Sequence, residues 1–346
     1  MCNNARFELS FKNISQLENK LNFCKLNNIK NINIPCKGII KKETLPDGNL
    51  GSAQAFFFNL RLDKYKDPKI REAIGLMFNF EWSNKTLFFG LYDRVTSFWE
   101  NSAMQASGRI SKEELAILNP LKKYLPESIF SDPVFIPPIS KPDKVDRKNR
   151  RKAIKLFQDA GWDLVDGKLK NKKGDIFSLE ILNYSPAFDR IINPFIENLK
   201  LLGIEAKHTR IDSTQYTERV RNFEWEIITS TYGNSLTPGI ELVQQYSSKT
   251  ADVPSRNLVG LKNEGIDILI NLAANAKTRK ELNEIIRSLD RSLRSLHIWV
   301  PQWYKKVHTV AYRNHYSYPK NLPPFELGAF DFWWFDNEKA EILNNK

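Results

Sequence analysis

The sequence predicts an α/β fold with a parallel βαβαβ unit, on three observations. Strand-length apolar runs alternate with helix-period stripes between residues 177 and 230. Hydrophobic residues make up 41% of the 346, enough to bury a substantial core. No run of about 18 or more apolar residues interrupts this pattern, so no stretch reads as a transmembrane helix. The length suggests two domains, or one large domain with an appendage.

Residues 1–50, rich in asparagine and lysine, carry no pattern that predicts a helix or a strand. Order begins with AQAFFFNL (53–60), an aromatic run bounded by Gly51 and by charges, which reads as a buried strand. In KDPKIREAIGLMFNFEW, Asp67 can cap a helix whose first position is Pro68. Ile70, Ala73, Ile74, Met77 and Phe78 then share one face. SNKTLFFG is expected to be a second short helix capped by Ser83, and SKEEL a capping box of Ser111 with Glu114. Pro120, Pro126, Pro133, Pro137, Pro138 and Pro142 predict a long irregular loop over 120–145.

The next block is the most regular. A helix ends near Gly161. FSLEILN (177–183) is a strand. FDRIINPFIENLKLLG is a helix despite Pro194, and Gly203 suits its left-handed terminator. IEAKHTRI (204–211) is a strand, DSTQYTERVR a helix capped by Asp212, and WEIITS (225–230) a third strand. Strands and helices alternating at this spacing make a parallel sheet with right-handed crossovers. A last long helix covers 277–297, with Leu282, Ile285, Ile286, Leu289, Leu293 and Leu296 inward.

TSTYGNSLTPG (229–239) holds no charge, histidine or cysteine. It can serve as a plain surface turn. It also lies just past the carboxyl end of the third strand, where ligands bind in open α/β sheets. Catalysis finds little support. His208, His297, His308 and His315 each read as structural, and no nucleophile elbow, zincin, phosphate-loop or dinucleotide motif occurs. No cofactor or metal site is expected. Cys2, Cys24 and Cys36 form no close pair, which excludes a regular disulfide framework. The net charge of +12 permits an anionic partner such as nucleic acid. Its densest cluster, KPDKVDRKNRRKAIK (141–155), reads as a solvated helix start and lacks the aromatics of a single-strand binder. Trp82, Tyr92, Trp99, Tyr232, Trp299, Trp303 and Tyr304 fit either a core or an apolar cleft. A basic nucleic-acid-binding protein and an α/β hydrolase are the alternatives to a binding protein.

The stretch FFFNLRLDKYKDPKIREAIGLMFNFEW resembles the opening of the second lobe in family 5 solute-binding proteins of ABC importers, the oligopeptide- and dipeptide-binding class. Phe58, Asn59, Asp67, Ile70, Arg71 and Ala73 carry the likeness. It continues in order through AIKLFQDAGW, IENLKLLGIEAKHTRID, YTERVRNFEWEII, SRNLVGLKNEGIDILI and VPQWYKKVHTVAY. SLTPG, NSAMQASG and FDFWWFD resemble the branch of longer peptide binders that includes importers of microcin-like peptides. The resemblance implies a class II periplasmic-binding-protein-like fold of two lobes that close on a peptide by hinges near 50–54 and 300–306. Residues 53–303 would be the second lobe, 304–346 a return to the first, and 1–52 a remnant of the first. It implies a periplasmic, noncatalytic protein whose partners are a peptide ligand and the permease and ATPase of an importer. No nucleic acid is expected, and membrane contact would be through the permease alone. Members carry a signal peptide and most of the first lobe ahead of the FFFNL strand, so an incomplete chain is expected. In relatives the loop before Pro238 supplies an aspartate to the peptide's amino group, and that position falls at or near Asn234. Ligand contact is thus expected from Tyr232, Asn234, Ser235 and Leu236, with Trp82 and Arg256 as further candidates. The aromatics Phe330, Phe332, Trp333, Trp334 and Phe335 are expected to lie exposed.

Overall fold

The computed structural model describes residues 39–142 and 146–344, so all three cysteines lie outside the described residues. The chain divides into two compact units, one reaching Pro46 and resuming at Val307, the other Asp47–Lys306. The first described element is β1 (Ile40–Pro46), in the segment where the sequence predicts no element.

The larger unit opens with β2 (Ala53–Phe58). Side chains alternate across a strand, so Ala53, Ala55 and Phe57 enter one apolar layer while Phe56 and Phe58 enter the other. α1 (Pro68–Gly75) starts as read, with Asp67 accepting the Lys69 N–H. α2 (Phe80–Leu87) starts earlier than expected. Asn79 caps it, which turns Phe80 into the core, and Ser83 is an interior residue whose hydroxyl donates to the Asn79 carbonyl at 3.2 Å. β3 (Asp93–Arg94) follows, then α3 (Lys112–Leu118) with the full capping box of Ser111 and Glu114. The proline-rich stretch is not wholly irregular. Pro120 lies in a 3-10 turn, Asn119–Tyr124, and α4 (Ser128–Ser131) follows Pro126. Proline at the start of a turn loses no needed N–H, so these residues begin turns as well as end them.

α5 (Arg147–Asp159) leads through Gly161 to a hairpin of β4 (Trp162–Val165) and β5 (Lys168–Asn171). Then come β6 (Ser178–Asn183), α6 (Asp189–Lys200), β7 (Glu205–Arg210), α7 (Ser213–Arg221) and β8 (Ile227–Tyr232). β8 begins two residues later than read, because its pairing with β2 starts at Ile227 opposite Phe58, and the Trp225 carbonyl accepts from Asn59 Nδ2 instead of a strand partner. Gly203 holds φ +80° after α6, and a Cβ there would meet the Leu169 nitrogen at 2.8 Å. α8 (Glu241–Tyr246), α9 (Glu264–Asn275) and α10 (Arg279–Ser295) precede β9 (Trp299–Pro301) and β10 (Trp303–Tyr304).

The central sheet has the order β7-β6-β8-β2-β9. β6 is parallel to both β7 and β8, which is the βαβαβ unit the sequence predicts. The whole sheet is mixed, however, because β2 runs antiparallel between β8 and β9. Two ion pairs fix α10 inside the first layer: Asp290–Arg294 at 3.0 Å and Glu114–Arg291 at 2.9 Å, all four side chains at most 4% exposed.

In the smaller unit, β11 (Val307–Arg313) pairs antiparallel with β1, Ile40 opposite Arg313. β12 (Tyr316–Ser317), β13 (Trp334–Phe335) and α11 (Asn337–Asn344) complete it. Phe330, Phe332, Trp334 and Phe335 are exposed there as expected. Trp333 differs: it is half-buried against Tyr312 and Tyr318, with ring centroids 4.8 and 4.7 Å away.

Candidate functional site

Because β6, β7 and β8 are parallel, their carboxyl ends share one edge of the larger unit. β2 starts at that edge and β9 ends there, since Ala53 faces Tyr232 and Ala55 faces Pro301. The edge therefore gathers residues 50–54, 183–188, 233–236 and 301–304.

The loop after β8 is held firmly. Asn234 Nδ2 donates to the Phe98 carbonyl at 2.6 Å, and its Oδ1 accepts from the Tyr246 hydroxyl at 3.2 Å. Gln245 Nε2 donates to the Gly233 carbonyl at 3.0 Å. The Phe98 N–H donates to Asp290 Oδ1 at 2.9 Å, so one residue ties the loop to α10. An amide oxygen has two lone pairs, which leaves Asn234 one for a ligand donor. Ser235 Oγ accepts from the Thr237 N–H at 2.9 Å, and its own hydrogen can still donate. Ser235 and Leu236 are half-buried.

Tyr232 lies beneath the loop rather than on it. It is 2% exposed and packs on Phe57 and Tyr246, with centroids 4.9 and 5.1 Å away. Burial pushes its phenol above the usual range. Trp82 is half-buried in the first turn of α2, whose Phe80 belongs to the layer on the opposite face of the sheet from Tyr232. Arg256 is exposed at the other end of β8. Arg61 stacks 3.9 Å over Phe223, just ahead of β8, and donates to the Asn257 and Leu258 carbonyls at 3.2 and 2.9 Å. Residues 255–258 thus sit beside the start of a strand that is about 17 Å long, and the loop sits at its end. The structure brings Asn234, Ser235 and Leu236 together over Tyr232; it does not bring Trp82 or Arg256 to them.

Of the other aromatics, Trp99 and Trp299 are core, at 0% and 4% exposure. Trp303 and Tyr304 reach the edge and are half-buried. Trp303 meets Phe88 at 4.6 Å and stacks on Phe188 at 6.0 Å. Tyr304 packs so closely on Gly51 that a Cβ there would lie 2.7 Å from its ring. The sequence reading named neither Tyr184 nor Phe188 as a candidate, although both follow β6 at this edge. Their signal was the same as that of the 233–236 loop, a position just beyond a parallel strand.

Among the described residues no group of three or more His, Cys, Asp or Glu could hold a metal ion, and no helix is long and apolar enough to cross a membrane. A cavity of about 350 Å³ lies away from the edge, lined by Glu72, Asp132, Phe135, Lys152, Ser295 and His297 among others. Burial holds His297 down at about 4 from its ordinary 6.5, although Glu72, 3.7 Å away, draws it back up. An unfolded chain binds this proton first as pH falls from 6.5 towards 4, so the contribution of His297 to folding stability drops through that window and levels off below it. Urea midpoints measured across this range should show the drop, and His297→Gln should reduce it, leaving the part owed to His208 and His315, which burial also lowers.

The family described as bacterial extracellular solute-binding proteins, family 5 Middle, matches residues 23–253. A probable peptide-binding protein YejA of Agrobacterium fabrum is 36% identical over 302 residues, 86% of this chain and 49% of that protein. An uncharacterized protein YejA of Escherichia coli K12 is 34% identical over 288 residues, 83% of this chain and 47% of that protein. The chain thus spans about half the length of these curated relatives. The oligopeptide-binding protein AppA of Bacillus subtilis, solved with a nonapeptide, shares the fold with a TM-score of 0.57 at 18% identity, over 90% of this chain and 54% of that one. With a sequence match across most of the chain and the fold of its solved neighbours, the chain belongs to the family 5 bacterial extracellular solute-binding proteins.

Proposed function

We propose that the chain supplies the peptide-contacting lobe of the substrate-binding component of an ABC importer. It acts without catalysis in the periplasm and hands its ligand to a permease driven by an ATPase. The observation that carries this reading is the anchored loop 233–236 at the carboxyl edge of the sheet, an edge that the half-buried Trp303 and Tyr304 also reach. A relative named as peptide-binding supports the ligand class.

In this reading Asn234 Oδ1 accepts from the ligand's amino end, the Ser235 hydroxyl donates to its main chain, and Leu236 gives an apolar contact. Tyr232 supports the loop from below. Main-chain hydrogen bonds with tolerant side-chain contacts suit a ligand whose sequence varies. Trp82 and Arg256 are left out of this reading.

Isothermal titration with short peptides and their N-acetylated forms tests the reading. A neutral amide gives an ammonium a hydrogen bond but no charge pairing, so the two forms should bind within about threefold of one another. Absence of heat and of thermal shift across peptides of varied sequence and length would end the proposal.

A further inference from the structure

We infer that α5 carries a docking stripe for an anionic phospholipid surface. Arg147, Lys148, Arg151, Lys152 and Lys155 are all exposed, at i, i+1, i+4, i+5 and i+8, and so lie along one face of the helix. The opposite face, through Asn149, Ala153 and Phe157, is buried. Only Lys152 has a carboxylate partner among the described residues, Glu72 at 2.7 Å. Among the described residues, Arg147, Lys148, Arg151 and Lys155 face no carboxylate in an ion pair.

This arrangement works against the helix that carries it. Arg147–Arg151, Lys148–Lys152 and Arg151–Lys155 are like-charge pairs at i,i+4, which destabilise a helix. Two of the cations, Arg147 and Lys148, sit in the first turn, where the macrodipole is already positive, and no acidic residue occupies that turn. Asp146 at the cap offsets part of this by accepting the Lys148 and Asn149 N–H groups. The four cations, without a carboxylate partner among the described residues, therefore carry a repulsion that the helix itself does not fully offset. A partner of opposite charge does.

The stripe is convex, about 12 Å long and presented from one side only. It has no aromatic residue on which a base could stack, as a single-strand binder requires. A flat array of phosphate headgroups fits a one-sided stripe, and each basic residue near such a surface strengthens attraction about fivefold. The choice of lipid over another polyanion rests on the importer reading, which puts the protein beside a membrane. The stripe itself does not depend on that reading, and neither does its test, which contains no peptide.

The test is co-sedimentation of the full chain with vesicles of phosphatidylcholine alone, or with one third phosphatidylglycerol. The expected result is pelleting with the anionic vesicles only, lost in strong salt because the interaction is screened. The variant Arg147→Gln/Lys148→Gln/Arg151→Gln/Lys155→Gln should bind them at least a hundredfold more weakly. Its melting temperature should equal or exceed that of the unaltered chain, because the like-charge repulsion is relieved. A charge-matched variant on other exposed lysines, Lys172→Gln/Lys173→Gln/Lys277→Gln/Lys280→Gln, should keep most of the binding. Equal loss in both variants would reduce the effect to net charge and overturn the proposal. So would equal pelleting with neutral vesicles, or a chain that ignores vesicles and retains duplex DNA at the same salt.

Discussion

Replacing Asp290 with alanine should cost the larger unit about 3–5 kcal/mol, the usual range for removing one partner from a buried ion pair. Asp290 is fully buried and makes three bonds: it accepts the Phe98 N–H at 2.9 Å, the Ala106 N–H at 3.0 Å and Arg294 Nη1 at 3.0 Å. Alanine would strand two backbone donors and leave the Arg294 guanidinium charged in the core, held by the Phe135 and Ala106 carbonyls alone. Asparagine should cost less, since its oxygen still accepts from one of the donors and its volume leaves no cavity, although its NH₂ opposes the donors on the other side. Urea unfolding would measure both, and a loss below about 1 kcal/mol for alanine would show that the pair is a minor support. The change should also reach the site. Phe98 joins Asp290 to Asn234, so a folded Asp290→Asn protein should bind ligand more weakly although the substitution touches no ligand.

The βαβαβ unit was legible because its signals are local. Asp67, Ser111 and Asp212 cap the helices read from them, and the apolar stripe of α10 is buried as its spacing implies. What stayed hidden depends on distant partners. Nothing in AQAFFF says that it will pair antiparallel with a strand some 170 residues later, so the mixed character of the sheet could not be read. IKKETLP has no apolar alternation to mark it as a strand, and only Leu45 of β1 is buried. At Ser83 two cap-competent residues lay four apart, and only the burial of Phe80 decides for Asn79.

The site divides in the same way. Topology alone placed the 233–239 loop at the carboxyl edge. Composition could not separate Trp99 and Trp299, which are core, from Trp303 and Tyr304, which reach the edge. It also could not show that the amide of Asn234 is already engaged by a carbonyl 136 residues away. Asn234 therefore cannot be a simple neutral replacement for an aspartate. The loop needs its NH₂ as a donor.

That requirement fixes the expected behaviour of Asn234→Asp. A carboxylate would still accept from the Tyr246 hydroxyl, but it cannot donate to the Phe98 carbonyl now 2.6 Å from Nδ2. An unsatisfied carbonyl facing a negative charge should cost about 1–3 kcal/mol of stability, read as a lower melting temperature. Against this, the carboxylate offers an ammonium a charge-assisted bond, roughly twice as strong as a neutral one. The two effects nearly offset in absolute affinity, which makes affinity alone a poor readout. The ratio of free-amine to N-acetylated peptide binding cancels the loop's own cost, since both ligands meet the same loosened loop. It should rise about tenfold in Asn234→Asp, corresponding to about 1.4 kcal/mol. Asn234→Ala should lower the affinity for both peptides and leave the ratio near one. A ratio that stays near one in the aspartate variant, with its melting temperature lowered, would mean that Asn234 only anchors the loop and that the ligand's amino end lies elsewhere.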